Sequence, residues 1–104
     1  MDKVQGYIAF HSLSIIWYAL RKRTDSERRF WLKNICNILK VVSATHEQVI
    51  EAVDNTYFRD FEDCLQDECA YGAGLQYIVT CNVKDFENAK TKVCNPDEFI
   101  AIFM

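Results

Sequence analysis

Proline and glycine are almost absent from this chain, with one proline and three glycines in 104 residues. That scarcity excludes collagen-like and low-complexity architectures, and no biased segment is present that would stay disordered. Histidine is scarce too. His11 and His46 have no second histidine or cysteine at ligand spacing, so neither is expected to bind a metal. The five cysteines (36, 64, 69, 81 and 94) are odd in number and form no C-x-x-C pair. Zinc-ribbon and thiol-redox readings therefore lack support, and reduced, mostly buried thiols in a cytoplasmic protein are expected. No apolar run reaches the length of a membrane span. The opening MDKVQGYIAF lacks the basic segment and long apolar core of a secretory signal. The net charge of −3 argues against broad attraction to nucleic acid, which requires a positive surface to displace phosphate counterions.

What is present suits one soluble globular domain spanning residues 1–104. Charge is unevenly spread. Residues 21–33 hold Arg21, Lys22, Arg23, Arg28, Arg29 and Lys33 against Asp25 and Glu27, whereas residues 47–68 hold eight acids against Arg59. A basic shoulder thus precedes an acidic centre; its Arg21-Lys22-Arg23 triplet reads as a solvated helix end, with an RNA-contacting patch as the functional alternative.

Helical and extended patterns alternate. Val4–Phe10 reads as a strand, followed by a helix with N-cap chemistry at His11–Ser14 and an apolar stripe of Leu13, Ile16, Trp17 and Leu20. Thr24 or Asp25 caps a second helix, with Glu27 completing a capping box and Phe30, Trp31, Ile35 and Ile38 turned inward. Lys40–Ser43 is a second strand. Thr45 opens a third helix, with Val49, Ile50 and Val53 inward. The stretch Asp60–Phe86 (DFEDCLQDECAYGAGLQYIVTCNVKDF) reads as an acidic helix ended by Gly72 and Gly74, a buried strand Tyr77–Thr80, and a loop Cys81–Phe86. At ~100° per residue, Asp60, Asp63 and Asp67 share one arc of that helix, beside an inward face of Phe61, Leu65 and Cys69. Val93-Cys94 is a last strand. Asn95 then caps a helix with Pro96 in its first turn, anchored by Phe99, Ile102 and Phe103. Such alternation implies an α/β fold with a parallel sheet covered by helices. Acids on a helix near polar groups beyond a strand end suit a divalent-metal site, and the alternative is a solvated acidic helix face, expected for Asp67 and Glu68.

Four ordered segments resemble the PIN-domain family, the nuclease fold of many bacterial toxin–antitoxin toxins. His11–Lys22 (HSLSIIWYALRK) is similar to the helix after the family's second strand, and Asp60–Ala70 (DFEDCLQDECA) to the helix bearing its third acid. Tyr77–Phe86 (YIVTCNVKDF) is similar to the strand and loop with the Thr-x-Asp/Asn and Asp-Phe pattern, and Val93–Ile100 (VCNPDEFI) to the closing strand and helix. The resemblance implies a three-layer Rossmann-like α/β fold and a Mg²⁺- or Mn²⁺-dependent ribonuclease. It further implies an RNA substrate, an antitoxin partner, a homodimer, and neither a small-molecule cofactor nor a membrane partner. By motif position, Asp63 is the family's third acid, with Asp60 and Asp85 as further metal-facing carboxylates and Asn82 as the fourth site residue.

The chain also departs from the family pattern. Nothing matches the family's first, central strand with its leading Asp, and Met1 stands just before the segment similar to the second strand. Ile15 occupies roughly the position of another acid, and Asn82 brings an amide where a charge is usual. A hard cation on so few carboxylates binds weakly and keeps most of its water. The expectation is therefore weak or absent catalysis, with a non-catalytic protein acting through dimerisation or partner binding as the alternative. Without the central strand, the Val4–Ile8 and Tyr77–Thr80 strands are expected to pair directly, or a second chain to fill the gap.

Overall fold

The computed structural model describes residues 4–103. In order they form strand β1 (Tyr7–Ala9), helices α1 (Phe10–Ala19) and α2 (Asp25–Ile38), and strand β2 (Lys40–Val42). Helices α3 (His46–Asp54) and α4 (Phe61–Gly72), strand β3 (Tyr77–Val79), a 3-10 turn at Val83–Phe86, strand β4 (Lys92–Cys94) and helix α5 (Pro96–Phe103) follow. The chain is mixed α/β, as its alternating pattern predicts. Reciprocal side-chain caps start α2, α3 and α5: Thr24 with Glu27, Thr45 with Gln48, and Asn95 with Glu98. No side chain caps α1, which begins before His11, so the expected capping residues lie inside its first turns. Gly74 takes φ 69°, where a Cβ would be strained, and lets the chain leave α4.

The described residues fall into two compact units divided between Ser43 and Ala44. In the first, β1 pairs in parallel with β2, Tyr7 opposite Lys40 and Ala9 opposite Val42. Gly6 lies close to Leu39, whose side-chain end would have to shift to admit a Cβ, 2.5 Å away at Cδ2. The inward stripe expected on α2 is not buried: Phe30, Trp31 and Ile38 are 60, 50 and 74 % exposed. A pair of three-residue strands is too narrow to cover two helices, and neither α1 nor α2 has a fully buried residue.

In the second unit, β3 pairs in parallel with β4, Tyr77 opposite Lys92 and Val79 opposite Cys94. The core joins Ala52 of α3, Phe58, Cys64 of α4 and Phe86, with Leu65, Ile78, Ala89 and Val93 packed against it. Phe58 meets Phe86 edge to face at 6.2 Å between centroids. Ile50, Val53, Phe61 and Ile102, expected inward, are exposed; on α3 Ala52 is buried and Val49 half-buried. Phe103 of α5 packs edge-on against Tyr77.

The direct pairing expected between the Val4–Ile8 and Tyr77–Thr80 strands is absent among the described residues, where the sheets are β1–β2 and β3–β4. Each two-stranded sheet pairs strands that are consecutive in the chain and lie in one unit. All five cysteines are free, with Cys64, Cys69 and Cys94 buried and Cys36 and Cys81 exposed. Burial pushes the three buried thiols up, which disfavours the reactive thiolate. No helix among the described residues is long and apolar enough to cross a membrane.

Candidate functional site

The acidic positions singled out by the sequence lie at the start of α4 and in the 3-10 turn beyond β3. Asp60 is the N-cap of α4, and its Oδ1 accepts the Glu62 amide at 2.8 Å. One of its oxygens is therefore engaged in starting the helix. Asp63, in the first turn, is half-buried, and so is Asp85 in the 3-10 turn. Asn82 precedes that turn with an exposed side chain, its carbonyl accepting the Asp85 amide at 3.0 Å and its own amide donating to Thr80 Oγ1 at 3.1 Å. Asn82 thus shapes the turn through its backbone.

Burial pushes the Asp63 carboxyl above its ordinary value of 3.8, and the negative fields of Asp60, Asp85 and Glu62 add to that shift. Asp63 is the point where acids from two elements act on one another. Among the described residues, no group of three or more His, Cys, Asp or Glu side chains is placed to hold a metal. Ile15 on α1, at the expected position of a further acid, is exposed and supplies no ligand.

The raised Asp63 value has a consequence for stability. A carboxyl with a folded pKa above its unfolded one binds its proton more firmly in the folded state, so stability declines as pH rises through that window. Asp63→Asn should therefore stabilise the protein at pH 7 by about 0.5 kcal/mol, the scale of relieved like-charge pairs. The gain should shrink as pH falls through the acidic range and the wild-type carboxyl takes up its proton. Thermal melts of both proteins across that range measure it, and a destabilised variant at pH 7 would contradict it.

Asp67 and Glu68, expected on a solvated face, are buried. Asp67 is 1 % exposed, and its Oδ2 and Oδ1 accept the backbone amides of Lys90 and Thr91 at 2.8 and 3.0 Å. Glu68 Oε2 lies 2.9 Å from Lys90 Nζ. The shared arc of Asp60, Asp63 and Asp67 therefore divides by depth: a cap, a half-buried acid facing other acids, and a buried anchor. Sequence spacing could not distinguish them, because the segment that neutralises Asp67 lies 23 residues on.

The first unit carries the basic run of residues 21–33, with several of its arginines packed on aromatic faces. The Arg28 guanidinium lies 3.6 Å from the Trp17 ring centroid and donates to the Trp17 carbonyl from Nη2 at 2.6 Å and from Nε at 3.2 Å. Arg21 lies 4.3 Å over the Tyr18 ring. An open cleft is lined by Trp17, Arg29 and Leu32. Sequence reasoning missed this stacking, although the Trp17-Tyr18 pair close to Arg21 and Arg28 was its signal.

No family model, curated protein or solved structure matches this chain. What the carboxylates can do therefore rests on their own chemistry. Asp63 and Asp85 offer hard oxygen donors, but among the described residues they belong to no group of three that could hold a metal. They do not make a closed cage.

Proposed function

We propose that this chain is PIN-like, acts on RNA, and hydrolyses its phosphodiester bonds only slowly. The observation that carries the reading is that the 3-10 turn bearing Asp85 packs against α4, the helix bearing Asp63. It joins the two motif segments, DFEDCLQDECA and YIVTCNVKDF, that the resemblance sets in one site. The strand pairing supports it as well. In the family the first strand, unmatched in this sequence, lies between the second and fourth, which leaves the pairs β1–β2 and β3–β4 on either side of it. The basic, aromatic-faced residues of the first unit suit an RNA partner. Free thiols suit a cytosolic protein.

In this reading Asp63 and Asp85 hold the cation, with the uncapped oxygen of Asp60 in support. When bound, the cation activates water and screens the phosphate charge. Asn82 shapes the turn carrying Asp85 and presents an amide in place of a further carboxylate. With so few charged ligands, cation affinity falls in the millimolar range and turnover is slow.

Cleavage of a single-stranded RNA in Mn²⁺ tests this. Activity should be abolished by EDTA and fall at least tenfold in Asp63→Asn, and undiminished cleavage by that variant would overturn the reading. The absence of a three-ligand group among the described residues favours a second reading, a non-catalytic protein. It would associate as a homodimer, or with an antitoxin-type partner, through the open edges of its two-stranded sheets. That reading predicts no Mg²⁺ or Mn²⁺ binding at millimolar concentration and a dimer at micromolar protein. A stable monomer in sedimentation would remove the dimer.

A further inference from the structure

We propose that Asp67 is a positioning residue: its two carboxylate oxygens, each taken by one of two successive backbone amides, hold the segment carrying Asp85 against the helix carrying Asp63. The amides are those of Lys90 and Thr91, at 2.8 and 3.0 Å, and Asp67 is 1 % exposed. Asp63 and Asp67 stand one helical turn apart on α4, so the clamp fastens the incoming segment directly beneath Asp63. Between clamp and acid the chain is short and held. Phe86, next to Asp85, is buried against Phe58, and the Ala89 amide donates to the Phe86 carbonyl at 3.0 Å. Lys90 Nζ adds a side-chain tie to Glu68 at 2.9 Å.

A clamp matters here because a 3-10 turn of four residues has few bonds of its own with which to stay against α4. A carboxylate accepting two amide bonds is a strong anchor, and its burial excludes competing water. Asp67 thus holds the turn against α4 without belonging to the acid cluster. The purpose of the assignment rests on the reading of Asp63 and Asp85 as the metal-facing pair. Its experiment uses neither metal nor RNA, so failure of the nuclease reading would leave the clamp standing.

The test is amide hydrogen exchange and ¹⁵N relaxation on the full, labelled chain, wild type against Asp67→Asn. Asparagine keeps the shape but has one acceptor, so one of the two amides loses its partner. Exchange at Lys90 or Thr91 should accelerate at least tenfold, and order parameters across residues 83–86 should fall towards ~0.6 while the α3 and α4 amides keep their protection. Unchanged order at 83–86 would overturn the proposal, and so would an equal loss of protection throughout α3 and α4, which marks a general fold anchor. If the variant does not fold, the wild type decides. Lys90 and Thr91 amides exchanging with the slow α4 amides support the clamp, and exchange as fast as at exposed Glu87 overturns it.

Discussion

Replacing Phe86 with alanine should lower the stability of this protein by about 3–5 kcal/mol. The expectation follows from how few large side chains the core contains. Among the described residues, the buried apolar side chains are Ala9, Ala52, Phe58, Cys64, Cys69, Ala70, Phe86 and Cys94. Alanines and cysteines bring little area, so Phe58 and Phe86 dominate the apolar burial of the second unit. Phe86 is 5 % exposed and touches Phe58 edge to face, so its removal forfeits both transfer energy and that contact, and leaves a void. A domain of this size has about 5–15 kcal/mol in hand, so the variant should melt on the order of 15–30 °C lower. Phe30→Ala serves as the reference, because Phe30 is 60 % exposed and should change stability by no more than about 0.5 kcal/mol. Similar melting temperatures for the two variants would refute this account of the core.

The helix starts were legible because capping is local. Thr24 with Glu27, Thr45 with Gln48, and Asn95 with Glu98 each place acceptor and donor three residues apart, within reach of any reading of the chain. Asp60 as a cap was legible for the same reason, since the amide it accepts lies two residues on. Burial was less legible. Periodicity identifies an apolar face but not whether another surface exists to cover it, which is why Phe30, Trp31 and Ile38 form a regular stripe and remain exposed. Asp67 and Glu68 misled in the opposite direction. An acid four residues after another reads as solvated, and only the return of Lys90-Thr91 to α4 reverses that.

The Glu68–Lys90 pair gives the second large effect, because its two members differ in exposure. The Glu68 side chain is 4 % exposed and that of Lys90 39 %, with 2.9 Å between Oε2 and Nζ. Lys90→Met leaves a carboxylate buried without its cation, and breaking a buried pair in this way costs about 3–5 kcal/mol when both members are enclosed. Water reaching Lys90 screens part of that, so a loss of about 2–3 kcal/mol is expected. Glu68→Gln combined with Lys90→Met removes both charges and should cost less than Lys90→Met alone. Glu51 offers a control: its carboxylate is 3.7 Å from Nζ but 62 % exposed, so Glu51→Gln should stay within about 0.5 kcal/mol. The pH dependence carries the same signature. The hydrogen bond to Glu68, with the fields of Glu68, Glu51 and Asp67, holds the Lys90 ammonium above its ordinary value of 10.5 against a smaller opposing effect of burial. A lysine raised on folding stabilises fully below its unfolded pKa and loses that contribution as pH climbs through the folded one. The gap between wild type and Lys90→Met should therefore be constant from neutral pH to about 10 and narrow only above it. Denaturant titrations at pH 7, 9 and 11 measure the gap. A gap under about 0.5 kcal/mol at pH 7 would show that Lys90 is only a surface charge near Glu68, and that α4 holds the Lys90–Thr91 segment through Asp67 alone.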